Sequence, residues 1–441
     1  MTSFPEYPRA AILTLGCRVN QYESDVIAGA LEADGFDIVP IGQRADVTII
    51  NTCTVTAESD RKSRQQIRRA AAFSPGAPLI VTGCFAQVSP EAAAAIEGVS
   101  AVVGNADKAE IAALARRLLH QRAEAKNMVS DIMTAPYDNM ILQTPRRCRS
   151  YIKIEDGCEN RCAYCIIPAA RGRVRSKAPE IAAEEARRIA ESGCREIILT
   201  GIETAAYGRD SGGAFSLGSL IAELDRIPGI ERIGLGSLDP SLMRDPFLTT
   251  LASLPTVLPH FHLSLQSGSS SVLRRMRRPY NAAQAMDRIE ALRRLFYEVM
   301  LTTDVIVGFP GETEEEFAET VEFCRQAKFL HLHIFPYSVR KDTEAAAMKD
   351  QIPEAVKKSR AAALASVQRE IKADLLREYT EKHRESPVRV LVEEEENGLW
   401  LGHSEHYAEV KFRADSPEVG SVVNVILTET DGNVCFGEAA E

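Results

Sequence analysis

Three cysteines constrain this chain more than any other feature: Cys158, Cys162 and Cys165, in Asp156-Gly157-Cys158-Glu-Asn-Arg-Cys162-Ala-Tyr164-Cys165. At C-x3-C-x2-C spacing they can ligate three irons of a four-iron four-sulfur cluster and leave the fourth open to a substrate. A zinc knuckle is the alternative. Zinc needs four ligands in a closed tetrahedral site, commonly as paired C-x2-C units, and no second pair lies nearby.

A second triplet is spread over the first 118 residues. Ala11–Leu15 runs into Gly16-Cys17, Asp46–Ile50 into Asn51-Thr52-Cys53, and Pro78–Thr82 into Gly83-Cys84, with helix-like segments between (Tyr22–Ala33, Arg61–Ala72). Strands alternating with helices predict a doubly wound parallel sheet, whose ligands collect at the carboxyl ends of the strands. Single cysteines are usually small buried hydrophobes. Three repeats of strand, turn and cysteine point instead to a second cluster with three protein ligands.

The rest of the chain follows from composition and periodicity. At 441 residues it has room for two or three domains, and 45% hydrophobic with 26% charged residues is ordinary for a globular protein. No apolar run suffices to span a bilayer, and the first residues carry no signal-peptide pattern, so the expected setting is the reducing cytoplasm, where thiols serve as ligands. Residues 119–143, with Pro136, read as a linker. Residues 144–352 contain six strand candidates (Tyr151–Glu155, Glu196–Thr200, Arg232–Gly236, His260–Leu265, Leu301–Val307, Leu330–Pro336) with helices after several of them. These predict an open, partial (βα)6 barrel with its chemistry at the strand C-termini. Pro353 in a first turn opens a helix over 353–385. Residues 386–441 read as a small all-β domain with four strands.

Net charge is −10, but residues 386–441 alone carry −9. Basic clusters lie upstream, around Arg61, Arg68, Arg146, Arg171 and Arg274, several beside the cysteine motifs. Each is a solvated face or a phosphate contact.

With both triplets placed, the chain resembles the radical S-adenosylmethionine (SAM) methylthiotransferase family over nearly its whole length. Supporting stretches are Gly83-Cys-Phe-Ala-Gln87, Arg171-Gly-Arg173, Leu263–Gly268 and Asp304–Glu312. The resemblance implies an auxiliary cluster on Cys17, Cys53 and Cys84, a SAM-binding cluster on Cys158, Cys162 and Cys165, and a C-terminal TRAM-like β-barrel. It implies two four-iron four-sulfur clusters and SAM as cofactors, and insertion of a methylthio group at an unactivated carbon. The electron donor would be flavodoxin- or ferredoxin-like; the sulfur source is unspecified. Asn51–Gln65 and Thr200-Gly201-Ile202 are similar to the branch that acts on N6-threonylcarbamoyladenosine beside the anticodon of tRNA. The sister branches modify isopentenyladenosine in tRNA or an aspartate of a ribosomal protein, and a non-catalytic iron–sulfur RNA-binding protein is a further alternative. Glu203-Thr204-Ala205 and Gly234–Pro240 depart from the family's usual stretches.

The same resemblance assigns Tyr164 to the adenine of SAM, and Glu203, after Gly201, to its ammonium. Ser237 and Gln266 are candidates for its ribose or carboxylate, and Gly308 for a close backbone approach. As alternatives, Tyr164 is a packing aromatic, Glu203 an exposed loop carboxylate and Gly308 a turn glycine. Arg171 and Arg173 suit a carboxylate or phosphate better than Lys would. The acidic C-terminal domain is expected to offer RNA only a limited face, with Lys411, Arg413, Trp400 and His403 as candidates. Cys148, Cys194, Cys324 and Cys435 read as structural.

Overall fold

Six strands form one parallel sheet at the N-terminal end: β1 (Arg9–Thr14), β2 (Asp37–Val39), β3 (Val47–Thr52), β4 (Leu79–Gly83), β5 (Ala101–Val103) and β6 (Lys126–Met128). Their order is β2-β1-β3-β4-β5-β6. Every residue of β3 and β4 is buried, as expected of strands covered on both faces by helices such as Arg18–Ala33 and Ala57–Phe73. The computed structural model describes residues 7–120 and 126–440. The first residues of the leader reading and residues 121–125 of the expected linker lie outside the described residues.

The linker reading needs correction where it is described. Lys126–Met128 pairs in parallel with β5 as a sixth strand, a three-residue edge too short to leave a period in the sequence. Further on, Tyr137 donates to the Lys153 carbonyl at 2.6 Å and the buried Leu142 donates its N–H to Glu185 at 2.7 Å. This segment is packed against the next domain.

All six expected barrel strands are present. β7 (Arg149–Lys153) is followed by a two-stranded clip of β8 (Glu155–Asp156) and β9 (Arg175–Ser176). Then come β10 (Glu196–Thr200), β11 (Arg232–Leu235), β12 (His260–Gln266), β13 (Met300–Val307) and β14 (His331–Pro336). Two parallel sheets, β11-β10-β7 and β12-β13-β14, are joined where Leu238 bridges Leu263. The result is a partial barrel. Helices Pro179–Glu191, Ala282–Leu295 and Glu314–Ala327 pack outside it; the last begins with a capping box between Thr313 and Glu316. The apolar faces of strands and helices make one core that includes Ile197, Leu199, Leu263, Leu301, Val305 and Leu332.

The long helix runs Glu354–Lys382 with Pro353 as its N-cap, one position earlier than expected. Beyond it β15 (Val388–Glu396), β16 (Leu399–Ser404), β17 (Glu409–Arg413), β18 (Val422–Thr430) and β19 (Cys435–Ala439) close into a barrel. β19 is the strand the sequence reading missed, because Cys-Phe-Gly-Glu-Ala is short and carries a glycine. The small barrel sits on the N-terminal ends of the central strands. Arg232 donates to the carbonyls of Arg389 at 2.8 Å and Ser404 at 3.0 Å, and Tyr407 stacks on His260 at 4.4 Å.

Candidate metal centres and active site

Cys17, Cys53 and Cys84 come together because β1, β3 and β4 are neighbours in the sheet and each cysteine follows a carboxyl end. Cys17 caps the helix Arg18–Ala33, and Cys84 opens a short helix directly after β4. Gly16 has φ +101°, and a Cβ there would lie 3.0 Å from Cys53 Sγ, so only glycine lets the two turns approach this closely. Burial pushes the Cys53 thiol up to about 11. Desolvation raises the Cys17 thiol as well, against the pull of the Arg171 guanidinium, although Cys17 itself is exposed.

A buried charge network backs this site. Arg171 Nε donates to Cys84 Sγ at 3.3 Å, Nη1 to Glu23 at 2.5 Å and Nη2 to Asn20 Oδ1 at 2.5 Å. Lys108 and Lys153 also pair with Glu23. Desolvation pushes the Glu23 carboxyl up, but these three cations hold it well below the usual carboxylate range. The set is three sulfur donors with cations stacked behind them, which suits an anionic iron–sulfur centre.

The second triplet lies on the loop between β8 and the helix Ile167–Arg171. Cys158 N–H donates to the Gly172 carbonyl at 3.0 Å and Cys165 N–H to that of Cys162 at 3.0 Å, which folds the loop back on itself. Every sulfur faces one donor: Asn160 N–H to Cys158 at 3.4 Å, Ile167 N–H to Cys165 at 3.4 Å, and Arg278 Nη1 to Cys162 at 3.3 Å. Burial pushes the Cys158 and Cys165 thiols up to about 12. They give up their protons when a metal takes the sulfur. Three sulfurs with donors already in place fit a cluster held by three cysteines.

The SAM candidates surround this loop to differing degrees. Tyr164 is half-buried and edge-on to Phe309, with centroids 6.4 Å apart, in a cluster with Met276 and Tyr337. Gly201 lies against Glu155, leaving 2.6 Å between a would-be Cβ and Glu155 Oε2. Glu203 is buried, not an exposed loop carboxylate. Its Oε1 accepts the Asp239 N–H at 3.2 Å, and desolvation raises its carboxyl to about 8, with Asp239 adding to the rise. The buried Glu155 donates nothing, accepts the Glu203 N–H at 2.8 Å and leaves Oε1 without a partner among the described residues. An unmatched acceptor and a buried acid beside the cysteine loop fit a cationic ligand group. Ser237 is half-buried after β11. Gln266 ends β12 at φ +72°, a left-handed conformation that non-glycine residues hold at functional turns. Gly308 follows β13, packed on Lys357, and donates its N–H to Glu312 at 2.6 Å.

Sequence reading missed Arg278, which looked like one member of a surface arginine cluster. Its guanidinium joins Cys162 to Asp239 (2.6 Å) and the Ser264 carbonyl (2.8 Å), and lies 5.0 Å from the Tyr280 ring. No local signal separates it from Arg274 or Arg277.

Of the RNA candidates, Arg171 requires correction. It is completely buried with its donors spent on Cys84, Glu23, Asp156 and Asn20, so it is directed at the first cysteine set and offers nothing to a phosphate or a substrate carboxylate. Arg173, two residues on, is exposed and makes no ion pair among the described residues. Lys411 is 3.4 Å from Glu396, and Arg413 is exposed. His403 bonds Glu393 at 2.6 Å on the face toward the central barrel, and Trp400 packs on the core of the small barrel. Cys148, Cys194, Cys324 and Cys435 have no disulfide partner.

Comparison with known proteins bears on the whole chain. Residues 152–324 match the Radical SAM superfamily, and residues 9–104 match Uncharacterized protein family UPF0004. Threonylcarbamoyladenosine tRNA methylthiotransferase MtaB of Bacillus subtilis is 40% identical over 423 residues, covering 94% of this chain and 92% of its own. Ribosomal protein uS12 methylthiotransferase RimO of Desulfitobacterium hafniense is 32% identical over 447 residues, covering 98% and 99%. Among solved structures, the radical SAM methyltransferase TsrM from Kitasatospora setae superposes with a TM-score of 0.56 at 15% identity over 74% of this chain and 73% of that one, a likeness of fold.

Proposed function

The chain belongs to the radical SAM methylthiotransferase family, and we propose that it places a methylthio group on C2 of N6-threonylcarbamoyladenosine beside the anticodon of tRNA. SAM and a four-iron four-sulfur cluster belong to this family's chemistry; a second cluster on Cys17, Cys53 and Cys84 is part of the proposal. The observation that carries it is the convergence of these three cysteines at adjacent strand ends, with Arg171 reaching from the second cysteine loop to Cys84. Identity that is higher to the B. subtilis tRNA enzyme than to the ribosomal-protein enzyme favours the threonylcarbamoyl substrate.

Bound cluster and SAM supply the one-electron chemistry that opens an unactivated C–H bond. The chain's own residues do the rest. Cys158, Cys162 and Cys165 are the residues that would hold the SAM-binding cluster. Glu203, with Glu155 behind it, receives the SAM ammonium. Tyr164, Ser237, Gln266 and Gly308 line the approach to adenine, ribose and carboxylate. Arg278 ties the cysteine loop to Asp239, fixing the loop's geometry. Exposed Arg173, with Arg413, supplies phosphate contacts to the tRNA, and a flavodoxin- or ferredoxin-like protein supplies electrons.

Mass spectrometry of tRNA nucleosides from a strain lacking the gene, with and without its restoration, tests the substrate. The expected result is loss of 2-methylthio-N6-threonylcarbamoyladenosine with accumulation of its precursor, both reversed by restoration. Loss of the isopentenyl counterpart alone would move the enzyme to the sister tRNA branch. No change in either nucleoside would point to ribosomal protein.

A further inference from the structure

Beyond the cysteine sites, one constellation in the central barrel has no role in the reading above. Side chains alternate along a strand. Phe261, Leu263 and Leu265 of β12, Leu301, Val305 and Val307 of β13, and Leu332 of β14 belong to the outer core. His262, Asp304 and His333 therefore share the opposite, inner face. They sit on three neighbouring strands, and their ligand-type atoms all lie within 4.8 Å of one another. His262 Nδ1 is 2.9 Å from Thr302 Oγ1 and its Nε2 is 3.4 Å from Asp304 Oδ1, so both ring nitrogens are engaged and the ring fixes the carboxylate.

This group lies open above a closed floor. His260, one inward position below His262, is buried under the stacked ring of Tyr407. Tyr407 is held at φ +67°, a conformation rare for an aromatic residue. Asp304 keeps 28% of its side-chain exposure, and His333 is exposed. Desolvation lowers the pKa of His333 below its ordinary value, Asp304 opposes the shift, and the positive charge of Arg18 adds to it. Arg18 follows Cys17 directly and makes no ion pair among the described residues.

We propose that Arg18, His333 and Asp304, with His262 as a positioning residue, form the subsite for a polar, carboxylate-bearing substituent on the target base. The inference rests on the threonylcarbamoyl reading. Arg18 and a ring N–H of His333 donate to the threonyl carboxylate, and Asp304 accepts from the threonyl hydroxyl or the ureido N–H. An isopentenyl chain offers none of these partners and would leave the Arg18 and Asp304 charges without theirs, so the same residues favour the carboxylate-bearing base over it.

The test uses anaerobically reconstituted full-length enzyme and three anticodon stem-loops. One carries N6-threonylcarbamoyladenosine, one the analogue with threoninol in place of threonine, which lacks the carboxylate, and one isopentenyladenosine. The wild type is expected to prefer the first over the second by about 10- to 100-fold in kcat/KM. Arg18→Gln and His333→Ala are each expected to lose roughly 10-fold or more on the first substrate and little on the carboxylate-free one, a coupling that a structural role would not produce. Iron per chain and substrate-free SAM cleavage are read alongside, and His333→Ala, on an exposed position, serves if the Arg18 variant does not fold. Equal losses on both loops would overturn the subsite while leaving the substrate reading intact. A wild type active only on the isopentenyl loop would overturn the substrate reading, and the subsite with it. Stoichiometric non-iron divalent metal, lost in His262→Ala, would replace the subsite with a cation site.

Discussion

Arg171 Nε lies 3.3 Å from Cys84 Sγ, although the two residues belong to different domains and are 87 positions apart. The same guanidinium is locked to Glu23 of the helix that Cys17 caps. One buried arginine thus ties the first cysteine set to the segment that carries the second. The same device recurs at Cys162, where Arg278 is the donor.

Arg171→Met should leave Glu23 with two of its cations and Cys84 without its donor. Breaking one partner of a buried charge network costs about 3–5 kcal/mol. The variant is expected to lose iron at the first site before the second. Iron per chain and SAM cleavage, measured together, check this: iron should fall while cleavage persists. A parallel loss of both would remove the argument for a site-specific role.

Gly157 has φ +92°, and a Cβ there would sit 1.8 Å from the Arg173 carbonyl oxygen. Gly157→Ala is therefore expected to cost roughly 3 kcal/mol or more and to unseat the loop that presents Cys158. Thermal melting and iron content provide the readout. A variant with wild-type values for both would contradict the packing described.

Glu203 is buried, and its pKa is raised from 4.5 to about 8. Between those values the native chain keeps a proton that the unfolded chain has lost. Its contribution to stability is complete below 4.5, falls as pH rises and is gone above about 8. Glu203→Gln removes the titration, so the melting temperature of the variant should fall less than that of the wild type as pH rises from 4.5 to about 8. Identical slopes would mean the carboxyl is already ionised.

Arg173 is exposed and unpaired among the described residues, in contrast to Arg146 and Arg147, which pair with Glu32 and Asp25. Arg173→Ala should weaken tRNA binding and reduce the slope of log affinity against log salt by about 1. SAM cleavage without tRNA should be unaffected. An unchanged salt slope would remove Arg173 from the interface.

Much of this architecture is local and was readable in the chain. Cysteine spacing is a covalent fact, strand and helix periods depend on near neighbours, and Thr313 with Glu316 caps its helix within one turn. Short elements were not readable: Lys126–Met128 at a sheet edge and Cys435–Ala439 within the closed barrel become strands because partner strands are already in place.

By itself, the sequence determined the two cysteine sets, the six barrel strands and the acidic C-terminal domain. Only the tertiary structure decided that Arg171 turns inward while Arg173 stays exposed, that Arg278 reaches Cys162, and that His262, Asp304 and His333 meet. The Arg171, Arg278 and histidine–aspartate contacts all join residues dozens of positions apart, the last of them through strand pairing and alternation. Side-chain direction at such distances is set by what the neighbouring strand presents, and no local pattern records it.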